Sequence, residues 1–268
     1  MSIVIVLAKA PVAGRVKTRL CPPLRGEQAA DIALAALNDT LMAVASVAAD
    51  HHVLVLDGEP GDWVPSGFVV LPQKTGLLDQ RLIDAFADVF HYVGALPSSG
   101  APTDAEEGVA TESHALDQAG PPTRDRTATQ KGEPVEVKTV EIPSHRNLGE
   151  PCVLIAMDTP QVHPHQLSDA LRQLADADSV IGMAEDGGYW LIGLNRPDPA
   201  VFRDIPMSIA STGAAQLERL VALGHHVATV DKLRDIDTFA DLDAVAAEFP
   251  NLEVSKLWIT MQSTLTNS

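Results

Sequence analysis

The chain has little of what marks disulfide-rich, zinc-binding or membrane proteins. It contains two cysteines in 268 residues, Cys21 and Cys152. Two cysteines cannot form a disulfide framework or a zinc site by themselves, so we expect two reduced thiols in a cytoplasmic protein. No apolar run approaches the ~18 residues that a membrane-spanning helix needs. Nor do the first residues show the basic leader, apolar run and cleavage site of a signal peptide. We therefore expect neither a membrane span nor secretion.

Basic residues are also scarce. Lysine and arginine number 19 against 36 aspartates and glutamates, which gives a formal net charge of -17 and a pI near 4.7. A nucleic-acid-binding protein would normally present a broad basic face, so we expect no nucleic-acid partner. An acidic protein that binds a polyphosphate must neutralise it locally, with basic side chains and with a divalent cation held by carboxylates. The length of 268 residues fits one large domain, or one domain with an insertion.

The first loop is the exception to this acidic composition. Residues 2–8 (SIVIVLA) are typical of a buried strand, and the segment that follows contains Lys9, Arg15, Lys17 and Arg19 without an acidic residue. In open α/β sheets, phosphorylated ligands bind beyond the carboxyl ends of the strands, so this loop is predicted to receive nucleotide phosphates. It matches neither the Walker A spacing nor G-x-G-x-x-G, which favours neither an ATPase nor a dinucleotide-binding site. The alternative is a solvated basic loop.

Hydrophobic periodicity predicts alternating strands and helices. Predicted strands cover residues 2–8, 52–57, 68–71, 151–156, 179–183, 189–194 and 226–230, and predicted helices cover 27–49, 77–93, 165–175, 214–223 and 238–249. This alternation indicates an α/β fold, a Rossmann-like three-layer sandwich with a mostly parallel sheet. Residues 1–250 are predicted to form a single domain, followed by a polar C-terminal tail over 251–268.

One long segment interrupts that pattern. Residues 97–150 are rich in proline, threonine, glutamate, glycine and serine, and show little periodicity. We interpret them as a largely disordered insertion, with a lid over the cleft as the alternative.

Acidic motifs follow three later strands. Asp158 comes directly after the strand at 151–156, and Asp235 and Asp237 precede the last predicted helix. Two residues apart in an extended segment, Asp235 and Asp237 face the same side and can share a cation. Turn formation by Asp158 and helix capping by Asp237 are the alternative explanations, but capping leaves Asp235 unexplained. Asp186 lies between two strands, either in an ordinary hairpin turn or in a site.

Four motifs in this order resemble those of bacterial proteins that have the GT-A, or nucleotide-diphospho-sugar transferase, fold and are described as glycosyltransferase-like, arsenosugar-biosynthesis enzymes among them. The family's K-x-P-x-x-G-x-x-K-T-R-L is matched in full at 9–20, its D-G-G-Y-x-L-I-G-L at 186–194 and its D-[IV]-D-T-x-x-D-L at 235–242. Its G-x-D-[ST]-P corresponds to 156–160 with the first glycine replaced by alanine. The resemblance spans roughly residues 3–96 and 151–248, and the combination of motifs is specific although no single one is.

The resemblance implies metal-dependent sugar transfer from a nucleotide-diphosphate donor to a small-molecule acceptor. Asp186 would be the catalytic base or would orient the acceptor, and Asp158, Asp235 and Asp237 would hold Mg²⁺ or Mn²⁺. The residues implied for the nucleotide and its phosphates are Ala8, Lys9, Gly14, Arg15, Lys17, Arg19, Gln73 and Gly76. Those implied for the acceptor side are Gly187, Gly188 and Tyr189.

Two segments depart from the family pattern. The family's Q-x-x-G-D-L-G-x-R has lost its acid and second glycine at 73–81, and its W-S-T is Met-Ser-Ile at 207–209. The departures keep two alternatives open. One is a nucleotidyltransferase that joins a nucleoside triphosphate to a phosphorylated small molecule and releases pyrophosphate. The other is a non-catalytic nucleotide-binding regulator. The oligomeric state stays open as well.

The insertion gives a first prediction. Deletion of residues 100–145 should leave the melting temperature nearly unchanged, because a segment that packs against nothing contributes little to stability. Thermal unfolding of the full and shortened chains measures this. A large drop in melting temperature would mean that the segment packs against the domain.

Overall fold

A computed structural model describes residues 1–96 and 149–265, and the predicted insertion falls outside this part of the chain apart from its last two residues. Seven strands in the described part form one sheet in the order β3-β2-β1-β4-β6-β5-β7. They are β1 Ile3–Lys9, β2 His51–Asp57, β3 Phe68–Pro72, β4 Cys152–Ala156, β5 Ser179–Ala184, β6 Tyr189–Leu194 and β7 Val227–Leu233. Only β6 is antiparallel to its neighbours, so the predicted mostly parallel sheet is confirmed.

Helices cover both faces of the sheet. In the described residues they are α1 Gly26–Ala45, α2 Leu78–Ala95, α3 Pro164–Gln173, α4 Thr212–Ala222, α5 Phe239–Glu248 and α6 Glu253–Leu265. Val4 and Val6 of β1 belong to a core with residues of α1 and α3, whereas Ile3 and Ile5 belong to a second core with residues of α2 and α4. Alternate side chains of one strand thus enter opposite layers, as the pleat requires. The three-layer α/β fold is confirmed. None of these helices is long and apolar enough to cross a membrane.

The strand directions bring several loops to one edge of the sheet. Because every strand except β6 runs the same way, six carboxyl ends lie along this edge. The loops after β1, β3, β4 and β7 therefore emerge beside one another, together with the turn between β5 and β6. Segments far apart in sequence, such as the first loop and the residues after β7, are neighbours here. Open α/β sheets build ligand sites in this way.

The C-terminal segment differs from its prediction. Where the sequence predicts a polar tail from residue 251, the structure has α6, whose Val254 and Trp258 are buried against Leu20 and Ile32. Val254, Trp258 and Met261 are spaced by four and three residues and therefore share one face of a helix, a periodicity that the prediction of a polar tail missed. Asp39 of α1 accepts the first backbone N–H groups of α6, from Glu253 at 2.9 Å and from Val254 at 3.0 Å.

This contact predicts different effects for two substitutions of Asp39. Asp39→Ala removes the acceptor for two backbone donors and should lower the free energy of unfolding by about 1–2 kcal/mol, as loss of a helix cap does. Asp39→Asn keeps an acceptor oxygen and should cost less. Both variants also remove a carboxyl whose pKa is raised by burial, so the loss of stability relative to the unsubstituted chain should be smaller at neutral than at acidic pH for both. Urea unfolding at pH 7 measures both variants, and an equal loss for the two would contradict the capping role.

Candidate active site

A cavity of about 570 Å³ opens at the edge where the strand ends converge. Its walls come from the first loop, from α2, from the segments after β4, β5 and β7, and from residues 207–212. Most of the residues that the sequence singled out line it, namely Ala8, Lys9, Arg15, Lys17, Arg19, Asp158, Asp186, Gly188, Tyr189, Asp235 and Asp237. The structure therefore brings together cations from the first loop and acids from three distant segments.

Four of the singled-out residues, Gly14, Gln73, Gly76 and Gly187, do not line the cavity. Gly187 has a structural reason to be glycine. Its φ is +92°, and a Cβ there would lie 1.9 Å from the carbonyl oxygen of Ala210. The β5–β6 turn is thus packed directly on the segment that leads into α4, and the N–H of Gly213 donates to the Gly187 carbonyl at 2.9 Å.

Lys17 is the centre of the charged part of the cavity. Its side chain is only 6% exposed, and its Nζ donates to the Asp158 carboxylate and to the Ile236 carbonyl. The same Nζ lies 3.9 Å from Oδ1 of Asp237. One buried ammonium therefore connects the first loop to the segments after β4 and β7. A buried charge is tolerated only when it is paired and hydrogen-bonded, which Lys17 is.

The other cations of the cavity are held less firmly. Arg19 donates to Asp237 at 2.8 Å with 68% of its side chain exposed, and Arg15 donates to Asp57 at 3.1 Å with 56% exposed. Exposed pairs of this kind contribute little to stability, so these arginines can exchange a carboxylate for a ligand phosphate at small cost. Lys9 lines the same cavity and has no carboxylate within 4 Å among the described residues.

Asp235 is the acid that most needs a partner. Its Oδ1 is buried without a hydrogen-bond partner in the described part of the chain. Burial and then the charges of Asp158, Asp186 and Asp237 raise the pKa of Asp235 to about 7, against a smaller lowering effect of Lys17. An orphaned carboxylate oxygen among other carboxylates matches the chemistry of a divalent-cation ligand.

The metal arrangement is nevertheless not a preformed cage. In residues 1–96 and 149–265, no three histidine, cysteine or acidic side chains are placed to hold one ion together. Mg²⁺ is typically bound by one or two carboxylates, with the remaining ligands supplied by waters and substrate phosphates. Asp235 with Asp158 or Asp237 fits that smaller requirement. The assignment of all three aspartates as ligands stays a prediction.

Asp186 belongs to a hairpin turn that is also part of the cavity wall. Its Oδ1 accepts the N–H of Gly188 at 2.8 Å, which is the local hydrogen bond of an aspartate turn. The hairpin alternative is therefore correct for the local structure, since β5 and β6 pair as antiparallel neighbours. Only one oxygen is used in this bond, which leaves Oδ2 for a ligand in the cavity that Asp186 lines.

Arg234 and Gln161 hold the acidic segments in place, and neither was among the residues predicted from the sequence. Arg234 binds Glu185, which precedes Asp186, and also donates to Asp241 at 3.1 Å. Gln161 donates through Nε2 to the Arg234 carbonyl at 2.6 Å. A backbone bond from Ile236 N–H to the Asp158 carbonyl, 2.9 Å long, completes the connection. The available signal was position alone, because Gln161 and Arg234 directly flank the acidic motifs.

Comparison with known proteins shows which fold this is. A protein from Desulfovibrio desulfuricans G20 with the provisional name nucleotide-diphospho-sugar transferase is 20% identical, and the match covers 99% of this chain and 97% of that one with a TM-score of 0.71. At that identity the likeness shows the fold, which is that of nucleotide-diphospho-sugar transferases. A family model described as "Uncharacterized protein conserved in bacteria (DUF2064)" matches residues 110–209.

Two further solved structures match with lower TM-scores. One is 2-C-methyl-D-erythritol 4-phosphate cytidylyltransferase from Thermus thermophilus, at 14% identity and a TM-score of 0.42, covering 92% of this chain and 98% of that one. The other is a Mycobacterium tuberculosis protein in complex with manganese, at 18% identity and a TM-score of 0.40, and the match covers 91% of this chain and 97% of that one. Among curated proteins, none matches this chain.

The burial of Lys17 gives a prediction with a matched control. Lys17→Met leaves the surrounding carboxylates without their cation and should lower the free energy of unfolding by about 1–3 kcal/mol. This is less than the ~3–5 kcal/mol for breaking a fully buried pair, because the side chain of Asp158 is 35% exposed. Arg19→Met, at an exposed pair, should cost less than about 1 kcal/mol.

The sign of the pH dependence follows from Asp235. Loss of Lys17 raises its folded-state pKa above about 7, and an acid with a raised pKa destabilises the fold as pH rises through that value. The deficit of Lys17→Met relative to the unsubstituted chain should therefore be larger at pH 8 than at pH 5. Urea unfolding at both pH values tests this, and a deficit that is equal at the two would contradict the electrostatic role of Lys17.

Proposed function

We propose that the protein transfers a glycosyl group from a nucleotide-diphosphate donor to a small-molecule acceptor, with the help of a divalent cation. The observation that carries the proposal is the meeting of Lys17 with Asp158, Asp235 and Asp237 in one cavity. Cations and cation-binding acids side by side are what a diphosphate with its metal ion requires. The fold supports the proposal but does not decide the reaction, because one fold hosts many chemistries.

The residues of the first loop would bind the donor. Lys9, Arg15, Lys17 and Arg19 would contact the diphosphate, whose oxygens accept charge-assisted hydrogen bonds. Lys17 donates two of its three N–H groups, to Asp158 and to the Ile236 carbonyl, so a phosphate oxygen can accept the third or replace the carboxylate. Lys17 lines the cavity in which the diphosphate would bind.

Asp158, with Asp235 or Asp237, would hold Mg²⁺ or Mn²⁺. When bound, such an ion stabilises the negative charge that develops on the departing nucleoside diphosphate. The carboxylates keep the ion beside the first loop, so both act on the same diphosphate. Asp186 would accept the proton of the acceptor hydroxyl or orient it through Oδ2, with Gly188 and Tyr189 forming the acceptor side of the wall.

Two assays separate this reaction from its alternatives. Incubation with UDP- and GDP-sugars, Mn²⁺ and mixed acceptors should release free nucleoside diphosphate. Incubation with nucleoside triphosphates and sugar phosphates should release no pyrophosphate. Pyrophosphate release would instead establish a nucleotidyltransferase. Binding of sugar nucleotides without turnover of any kind would indicate a regulatory protein.

A substitution at Asp158 tests the assigned roles. Asp158→Asn should abolish the gain in nucleoside diphosphate affinity that Mn²⁺ provides, a change of at least about tenfold, or 1.4 kcal/mol. The affinity of this variant for the nucleoside diphosphate in the absence of metal should not fall, because the substitution releases Lys17 from its carboxylate partner. Asp169→Asn, in an exposed pair with Arg172 on α3, is the matched control and should behave like the unsubstituted protein. Isothermal titration calorimetry measures the affinity of the unsubstituted protein and of both variants with and without Mn²⁺. If Mn²⁺ raises the affinity of Asp158→Asn as much as that of the unsubstituted protein, Asp158 is not a metal ligand.

A further inference from the structure

The cavity has two halves of different chemistry, divided by the ends of β1 and β4. Side chains alternate across the sheet, so Leu7 and Leu154 line the cavity from the face covered by α2. Ala8 and Met157 line it from the face covered by α1. We call these the α2-facing half and the α1-facing half.

The α2-facing half is mainly apolar. Leu7, Leu82, Leu154 and Met207 form its wall, and all four pack in the core on the α2 side. Tyr189 belongs to the same wall, and its hydroxyl is buried without a hydrogen-bond partner in the described residues. Apart from Tyr189 on the acceptor side, no residue of this wall has a role in the proposed function.

Arg81 brings a positive charge into this apolar half. It lies in the first turn of α2, is half-buried and lines the cavity. In the described part of the chain no carboxylate lies within 4 Å of its guanidinium, although Arg15, Lys17 and Arg19 each have one. A chain with a net charge of -17 has ample acids to pair with it. Lys9 is the other cation of the cavity without a carboxylate partner in the described residues, but Lys9 is exposed, so Arg81 is the half-buried cation that is left unpaired.

Gln73 holds the guanidinium in its place. Nη2 of Arg81 donates to Oε1 of Gln73, while Nε2 of Gln73 is buried and has no partner among the described residues. A neutral amide orients the arginine without neutralising it, which leaves donors for another group. Guanidinium groups recognise carboxylates and phosphates through paired hydrogen bonds, and a partly buried cation gains most from such an anion.

We propose that Arg81 binds an anionic group, a phosphate or a carboxylate, on the acceptor substrate. The inference rests on the proposed function for the identity of the first substrate. The donor diphosphate and its cation are assigned to the first loop and to the acids around Lys17. The α2-facing half thus takes the second substrate, with its body against the apolar wall. Tyr189 connects the apolar wall to Asp186, since it lies in this wall and follows Asp186 by three residues.

The test measures the binding of a second anion to protein that already holds a nucleoside diphosphate. Calorimetric titrations of inorganic phosphate and of malonate are made into protein saturated with Mn²⁺ and a nucleoside diphosphate. The unsubstituted protein should bind one of the two anions, and the stronger of them identifies the acceptor's group. Arg81→Gln should weaken that binding at least tenfold and leave nucleoside diphosphate affinity within twofold. Arg81→Lys, which keeps the charge but loses the paired donors, should lie between.

A second variant protects the test against misfolding at residue 81. Gln73→Glu keeps Arg81 but supplies a carboxylate beside it, so it should weaken anion binding as much as Arg81→Gln does. Lys9→Gln is the contrast variant, because Lys9 is assigned to the donor and its loss should weaken nucleoside diphosphate binding.

Three results would overturn the proposal. One is the absence of any second anion on the donor-loaded protein, and another is equal anion affinity in Arg81→Gln. The third is a tenfold loss of nucleoside diphosphate affinity in Arg81→Gln, which would place Arg81 in the donor site. If the unsubstituted protein binds no nucleoside diphosphate, the proposed function fails separately. Phosphate is then titrated into the free protein, where Arg81→Gln must still remove a binding event that Arg19→Gln leaves in place.

Discussion

The burial of the Lys17 ammonium among carboxylates is the interaction on which the rest of the site depends. A lysine with 6% of its side chain exposed is stable only if acids and carbonyls surround it, and the partners come from the segments after β4 and β7. The same acids would repel one another more strongly without that cation, since their charges already add to the burial that raises the pKa of Asp235. The buried Lys17 therefore has two effects on the site. It holds remote segments together in the free protein, and it places a positive charge where a phosphate can compete for it.

Hydrogen bonds between loops set the positions of these charges. The Ile236–Asp158 backbone bond and the Gln161 contact join the segments after β4 and β7, and Arg234 joins the latter to the β5–β6 turn. The turn is fixed in addition by the close approach of Gly187 to Ala210, which only glycine permits. The positions of the acids thus depend on these bonds as well as on the bonds that their own carboxylates make with Lys17 and with the Gly188 N–H. The bonds between loops let Asp158 and Asp186 change partners when a ligand binds without loss of the local fold.

Much of the fold could be predicted from local patterns. Strand β1 is a continuous apolar run and the helices α1 and α2 have apolar residues at helical spacing, and their alternation with other strands indicated a parallel sheet. Helix α6 was missed although Val254, Trp258 and Met261 recur at helical spacing. The local pattern could not show its cap, because its first N–H groups are satisfied by Asp39, more than 200 residues earlier in the chain. The hairpin around Asp186 shows the opposite case, since its turn signal was correct and its place at the cavity was not visible in the turn itself.

The sequence by itself determined the order of elements, the acid-free basic loop and the acidic motifs after later strands, because strand and turn propensities depend on neighbouring residues. Only the tertiary structure decided which charges meet. Pairing of Lys17 with Asp158 spans 141 residues, and the lack of an acid beside Arg81 depends on the packing of α2 over the sheet. Contact between distant segments is set by strand order and by side-chain alternation across the sheet, and no local pattern carries that information.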